Sequence, residues 1–263
     1  MNFFELMQIP SDSAIRIPAH WGQGRSVFGG LAAALVYKAL RERAPADRPV
    51  RSLAITFVAP MQCETPVHLE VEVLREGRAV SQLLGRALQN GEVVTLVQAS
   101  FGAGRPSSVA VDAEPAPALK APDECQSFPY LPGITPEFTR HLEMNWGQGG
   151  LPFSATPARE MGGWVRLRGE SPHQPVDEAA LLALVDAWPP ALLSHLSRPA
   201  PGSSLTWTIE FVQPLPVADV GEYFLYQARI EHARDGYGHV AANLWTAGGE
   251  LAAISRQTVV VFD

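Results

Sequence analysis

The sequence WGQGRSVFGGLAAALVYKAL, residues 21–40, combines two pairs of glycines with a dense apolar run. The apolar run predicts a helix over residues 26–44, because Pro45 ends it and cationic side chains gather in its last turn, where they complement the helix dipole. Apolar residues occupy nearly every face of this helix, so we expect it to be buried on all sides.

The residues after this helix have the period of strands. Their apolar side chains fall mostly at alternate positions, as in the half-buried strands of an antiparallel sheet. The third and fourth runs meet at Asn90-Gly91, which is a strong signal for a two-residue hairpin turn. The four runs are RSLAITFVAP (51–60), VHLEVEVLREG (67–77), AVSQLLGRALQ (79–89) and EVVTLVQASFG (92–102).

The same order occurs again in the second half of the chain. A strand-like run at 162–170 precedes a second apolar helix at 177–196, which Pro189-Pro190 interrupts, and four strand-like runs follow between 203 and 262. TFVAP at 56–60 is similar to EFVQP at 210–214. A helix and four strands that occur twice predict a duplicated unit.

This repeat predicts an α+β fold of the double hot-dog type. In each half an antiparallel sheet wraps around its helix, and the two sheets join into one continuous sheet, because a single unit would leave a sheet edge unpaired. Pro, Ala, Gly and Ser dominate residues 103–135, which lack periodicity. We predict an N-terminal hot-dog at 1–105, a connector at 106–160 and a C-terminal hot-dog at 161–263.

Composition excludes several classes of function. The chain has 263 residues and a net charge of −7, without a basic run, so we expect no nucleic-acid partner. We find no apolar run long enough for a bilayer and no signal-peptide pattern, which predicts a cytoplasmic protein that does not bind membranes. Cys63 and Cys125 are expected to be reduced thiols. Metals and cofactors are not expected either, since no metal-ligand spacing links His173, His195, His232 and His239.

The glycines before the first helix do not match a nucleotide-binding motif. Gly22-Gln-Gly24-Arg-Ser-Val27 lacks the third glycine of a dinucleotide fingerprint, and neither a P-loop lysine nor a G-x-S-x-G turn is present. Two interpretations stay open for Gly29 and Gly30. They allow the helix start to approach a neighbour closely, or their N–H groups bind an oxyanion or phosphate.

Residues 27–102 resemble the N-terminal half of the acyl-CoA thioesterase II family. The second half is similar to the same family's second hot-dog, through Phe211–Pro214 and Leu251–Gln257. The order and spacing of the motifs carry the resemblance, which covers most of the chain except residues 103–160. The first-half motifs are Phe28-Gly29-Gly30, Phe57–Pro60, Leu74–Gly77, Gln89-Asn90-Gly91 and Ala99-Ser100-Phe101.

The resemblance implies three catalytic residues, which fall on Asp186, Ser204 and Gln257. The family has a threonine where Ser204 stands, and Thr206 and Thr208 on the same strand leave this assignment open. Asp186 is also notable by itself, because an unpaired carboxylate in an apolar helix is costly and needs a partner or a purpose. A structural cap for Asp186 and a satisfied core amide for Gln257 are the alternatives.

The function that the resemblance implies is hydrolysis of an acyl-CoA-type thioester by a positioned water; direct attack by the Asp186 carboxylate, which gives an anhydride, stays open as an alternative. Phe28, Gly29 and Gly30 are predicted to contact the acyl-CoA substrate, and pairing of two chains into a homodimer is a further expectation. A non-catalytic acyl-binding protein is one alternative, because Ala32 occupies the first-half position that matches Asp186. A hot-dog dehydratase or hydratase is another, although neither helix carries the histidine it commonly needs.

Overall fold

The computed structural model describes residues 1–169 and 174–262. His173, and Glu170 at the end of the predicted strand 162–170, lie outside these described residues. Within them, three α-helices are formed, namely α1 (Phe3–Met7), α2 (Gly29–Arg43) and α3 (Glu178–Asp186). The strands are β1 (Gly22–Gln23), β2 (Ser26–Val27), β3 (Val50–Phe57), β4 (His68–Glu76), β5 (Val80–Gln89), β6 (Glu92–Gly102), β7 (Gln126–Ser127), β8 (Leu142–Gln148), β9 (Glu160–Leu167), β10 (Gly202–Phe211), β11 (Phe224–Arg234), β12 (Tyr237–Thr246) and β13 (Leu251–Val261).

Helices α2 and α3 lie in the core and pack against each other. Most of their residues are buried, as the apolar pattern of both predicts. The side chain of Asp177 caps α3 by accepting a hydrogen bond from the Ala180 N–H at 2.8 Å. Helix α3 ends at Asp186, before Pro189-Pro190, so the predicted helix over 177–196 is too long; a 3₁₀ turn follows at Ala191–His195.

Eleven of the described strands form one antiparallel sheet in the order β4-β5-β6-β3-β10-β13-β12-β11-β9-β8-β7. In each half the strand after the central helix pairs with the fourth strand of its unit, then come the third and the second. This shared order confirms the predicted repeat and the double hot-dog fold. Asn90 and Gly91 have φ values of 52° and 82°, which confirms the predicted hairpin turn between β5 and β6.

The two halves join where β3 pairs with β10. Ala54 lies opposite Thr208 in this ladder, and Leu53 lies opposite Ile209. Since TFVAP and EFVQP align Phe57 with Phe211, Ala54 and Thr208 are equivalent residues of the two units. The joint therefore has the geometry of a two-fold interface, in which the same position of each unit meets its counterpart.

Part of the predicted connector is strand. β7 and β8 lie within residues 106–160, and β8 pairs with β9 along the sheet. Only β7 falls within residues 103–135, the stretch predicted to lack periodicity. The division of the chain into units stays a prediction. The motif Trp-Gly-Gln-Gly occurs twice, at 21–24 and 146–149. The first copy includes β1 and the second overlaps the end of β8, and both strands precede the central helix of their half.

Candidate active site

Asp186 is the last residue of α3, and its carboxylate lies at the start of α2. Gln257 Nε2 donates a hydrogen bond to Asp186 Oδ1 at 2.9 Å, and the backbone N–H of Gly30 hydrogen-bonds the same carboxylate. Residues far apart in the sequence thus meet at one point, where a helix end from the second half contacts a helix start from the first. The positive end of the α2 dipole faces this carboxylate.

Ser204 continues the hydrogen-bonded chain on β10. Its hydroxyl donates to Gln257 Oε1 at 2.9 Å, so the amide of Gln257 connects the hydroxyl to the Asp186 carboxylate. The structure therefore brings together the three residues that were predicted to be catalytic. Each of the three residues is half-buried.

A β-bulge decides which hydroxyl of β10 faces this site. Opposite β13, the pairing shifts between Ser204 and Thr206, so one extra residue changes the side of the sheet to which Ser204 points. Thr206 and Thr208 are exposed on the outer face, while Trp207 between them is buried. Simple alternation along β10 would place all three hydroxyls on one face, but the bulge separates Ser204 from the two threonines.

The environment of Asp186 changes its acidity. Burial raises the pKa of its carboxyl from 3.8 to about 7, although the hydrogen bonds from Gln257 and Gly30 act in the opposite direction. Near neutral pH both protonation states of Asp186 are therefore populated. A carboxylate with a pKa close to the operating pH is well suited to accept a proton from water.

Gly29 and Gly30 allow two different groups to lie close to the start of α2. A Cβ on Gly29 would lie 2.7 Å from Asp186 Oδ2 and 3.1 Å from Cζ of Phe57. A Cβ on Gly30 would lie 2.9 Å from the Leu182 carbonyl oxygen, on the neighbouring helix. Gly30 thus serves helix packing, while Gly29 leaves space beside the carboxylate.

Phe28 has a packing role. Its side chain is fully buried, and its ring stacks on Phe138 with centroids 4.0 Å apart and planes 3° from parallel. Contact of Phe28, Gly29 and Gly30 with substrate stays a prediction.

Two aromatic residues near the site were missed by sequence reasoning. Trp188 and Tyr226 line a narrow cavity together with Gln257. Burial raises the pKa of the Tyr226 hydroxyl, and the negative charge of Asp186 raises it further. Trp188 follows Asp186 by two residues, so an aromatic residue just beyond the carboxylate was the available signal. Nothing in the sequence around Tyr226 separates it from other core aromatics.

The equivalent place in the first half lacks these functional groups. Strand pairing matches Trp207–Gln257 to Leu53–Ala99, and Ser204–Val259 to Val50–Phe101. A bulge follows Val50 just as one follows Ser204. Ser204 and Gln257 thus correspond to Val50 and Ala99, and the sequence offset of 154 places Ala32 at the position of Asp186; all three first-half residues are buried. Of the two equivalent places among the described residues, the one in the second half carries these groups.

In the described part of the chain, no group of three or more His, Cys, Asp and Glu side chains could hold a metal ion. Cys63 and Cys125 are free thiols. None of the helices that the structure describes combines the length and the hydropathy of a membrane span.

Two family models match the chain and divide it between them. The model of the acyl-CoA thioesterase C-terminal domain matches residues 122–261, and that of the N-terminal domain matches residues 17–102. The chain belongs to the acyl-CoA thioesterase family. The family resemblance expected from the motifs is thereby confirmed, and this thioesterase is an enzyme of thioester hydrolysis.

Individual relatives of this thioesterase are similar to it in sequence or in fold. Acyl-CoA thioesterase 2 of Haemophilus influenzae is 26% identical over 253 residues, which cover 89% of this chain and 86% of that protein. The structure of acyl-CoA thioesterase II from Mycobacterium marinum has a TM-score of 0.78 at 21% identity, covering 99% of this chain and 98% of that one. A hot-dog protein of unknown function from Alicyclobacillus acidocaldarius has a TM-score of 0.83 at 24% identity, covering 99% and 98%.

Proposed function

We propose that this thioesterase hydrolyses acyl-CoA thioesters to a free acid and CoA, with a water that Asp186 activates. The observation that carries the proposal is the Asp186 carboxylate itself, which has a pKa of about 7 and is hydrogen-bonded to Gln257 at the start of α2. Asp186 accepts a proton from the water as its oxygen attacks the thioester carbonyl carbon.

Ser204 and Gln257 are proposed to position the reacting groups. The Ser204 hydroxyl is both a donor and an acceptor, and Gln257 fixes its place through the 2.9 Å hydrogen bond. A water held between this hydroxyl and the carboxylate would have its lone pair directed at the carbonyl carbon, and such positioning lowers the entropic part of the barrier.

The oxyanion of the tetrahedral intermediate needs donors. The first N–H groups of α2 have no partner within the helix, and the Gly30 N–H among them hydrogen-bonds the Asp186 carboxylate. Another N–H group of this first turn, or the second N–H of the Gln257 amide, would stabilise the oxyanion, a contact worth roughly a hundredfold or more in rate. The CoA thiolate then leaves and takes up a proton.

The experiment is an assay of free-thiol release from acyl-CoAs of several chain lengths. Asp186→Asn keeps the size of the side chain but removes the proton acceptor, so hydrolysis should fall by a factor on the order of a hundred or more. Binding of acyl-CoA should change little. If Asp186→Asn folds and releases thiol at the parent rate, Asp186 is not the base.

A further inference from the structure

The narrow cavity beside Gln257 contains two polar groups that the mechanism above does not use. Trp188 and Tyr226 line it from the end of α3 and from β11. The other lining residues are largely apolar, and the volume of about 10 Å³ is close to what one water-sized group occupies. A straight alkyl chain does not enter this space unless the aromatic rings move.

The indole N–H of Trp188 is a buried donor without an acceptor. Trp188 is only 6% exposed, and its Nε1 has no hydrogen-bond partner among the described residues. Buried polar groups are almost always paired, because an unpaired one costs about 1–3 kcal/mol. The other indole of this aromatic cluster differs, since Trp146 Nε1 donates to the Gly149 carbonyl oxygen at 3.2 Å.

The position of the Trp188 ring is fixed from several sides. It stacks on Tyr226 with centroids 5.2 Å apart and planes 5° from parallel, and Trp146 packs against it at 5.2 Å. Behind it, a Cβ on Gly163 would lie 2.9 Å from the ring, so only glycine leaves the necessary space. Tyr226 is 7% exposed, and it lines the same cavity as Trp188.

We propose that Trp188 and Tyr226 determine acyl specificity: they favour a short acyl group with an oxygen substituent, which accepts a hydrogen bond from the Trp188 N–H. Gln257, which donates to Asp186 at 2.9 Å, lines the cavity together with Trp188 and Tyr226, so the cavity begins beside the site of the reacting carbonyl. A substituent close to that carbonyl therefore reaches this pair. The inference rests on the proposed thioester hydrolysis and specifies the acyl group.

The test compares butyryl-CoA with 3-hydroxybutyryl-CoA, which differ by one hydroxyl at equal chain length, and adds dodecanoyl-CoA. The parent should have the higher kcat/KM for 3-hydroxybutyryl-CoA. Trp188→Phe keeps an aromatic ring without the N–H and should lower the ratio of the two kcat/KM values roughly tenfold. Trp188→Ala opens the cavity and should raise kcat/KM for dodecanoyl-CoA relative to butyryl-CoA.

Trp146→Phe is the matched control, because it removes an indole N–H that already has a partner in the same cluster. It should leave the substrate ratio unchanged. Tyr226→Phe removes only a hydroxyl and should lower the ratio, so it keeps the test decisive if the Trp188 variants do not fold.

An unchanged ratio in Trp188→Phe, or an equal change in Trp146→Phe, overturns the specificity role. So does a parent enzyme that hydrolyses dodecanoyl-CoA but neither four-carbon substrate. A parent that releases no thiol from any acyl-CoA instead contradicts the proposed function itself.

Discussion

Asp186 carries a charge in surroundings that disfavour it. Burial raises the pKa of its carboxyl to about 7, so its ionised form is less stable in the folded protein than in the unfolded chain. The same desolvation that makes this carboxylate basic enough for catalysis therefore lowers the stability of the fold at neutral and alkaline pH. Ionisation of Asp186 therefore favours activity but lowers the stability of the fold.

A first prediction concerns the pH dependence of activity. If Asp186 must be ionised, kcat/KM should fall as the pH decreases below about 7, with a single ionisation near that pH. A pH profile from 5 to 9 with one short acyl-CoA measures this. A profile that is flat from pH 5 to 9 would contradict the role of Asp186 as base.

A second prediction concerns the melting temperature of Asp186→Asn. The folded pKa of about 7 lies above the ordinary value of 3.8, so the favourable contribution of the protonated group is complete below pH 3.8 and is lost as the pH rises to 7. The asparagine variant stays neutral. Its melting temperature relative to the parent should therefore increase between pH 5 and pH 8.5. A difference independent of pH would mean that the carboxyl is not buried in the folded protein.

A third prediction tests the hydroxyl on β10. Ser204→Ala should lower thioester hydrolysis about tenfold or more, because the hydroxyl that Gln257 holds is lost. Ser204→Thr should be tolerated, since it restores the family's residue. Thr206→Ala is the matched control on the exposed face and should have no effect on the rate. Loss of activity in Thr206→Ala but not in Ser204→Ala would reverse the assignment.

At the scale of elements, the two glycines at the start of α2 should separate catalysis from stability. Gly29→Ala places a methyl group 2.7 Å from Asp186 Oδ2, so the carboxylate must shift and hydrolysis should fall by at least tenfold. The methyl group of Gly30→Ala would collide with the backbone of α3. This variant should chiefly lower the free energy of unfolding, by roughly 1–3 kcal/mol, and with it the melting temperature.

Thiol-release assays and thermal melts of both variants measure this contrast. Gly104→Ala is a suitable control, because nothing lies within 4 Å of its added Cβ. If Gly29→Ala loses as much stability as Gly30→Ala but keeps the parent activity, the carboxylate tolerates the methyl group.

The elements also show what the sequence could predict. Apolar helices and alternating strands follow from local periodicity, and a lone carboxylate in α3 was visible as an anomaly. The bulge at Ser204 was not predictable, because it depends on the pairing with β13 and not on the residues of β10 alone. Strands β7 and β8 were missed since prolines and glycines around them obscure a period of two. The Trp188 cavity depends on contacts with β9 and β11 that only the folded chain reveals.

At the scale of the whole molecule, the joint between β3 and β10 predicts the behaviour of an isolated half. Residues 1–105 alone would expose the edge of β3, which can pair with β3 of a second copy in the register that Ala54 and Thr208 use. Light scattering should therefore show a dimer of this fragment. Ala54→Pro removes one backbone N–H from β3 and should weaken the association. A stable monomer of residues 1–105 would contradict the prediction.

The buried alanine at position 32 shows that the two units of the chain can differ in sequence. In an assembly of identical subunits, every substitution is expressed at each symmetry-related position, so a glycine needed by one helix start and a carboxylate needed by one helix end are both imposed on every copy. Joining two units in one polypeptide removes that coupling. Ala32 and Asp186 are encoded by separate codons, so the first unit can change into a structural unit while the second keeps the catalytic residues. Active-site titration should accordingly count a single reacting centre per polypeptide.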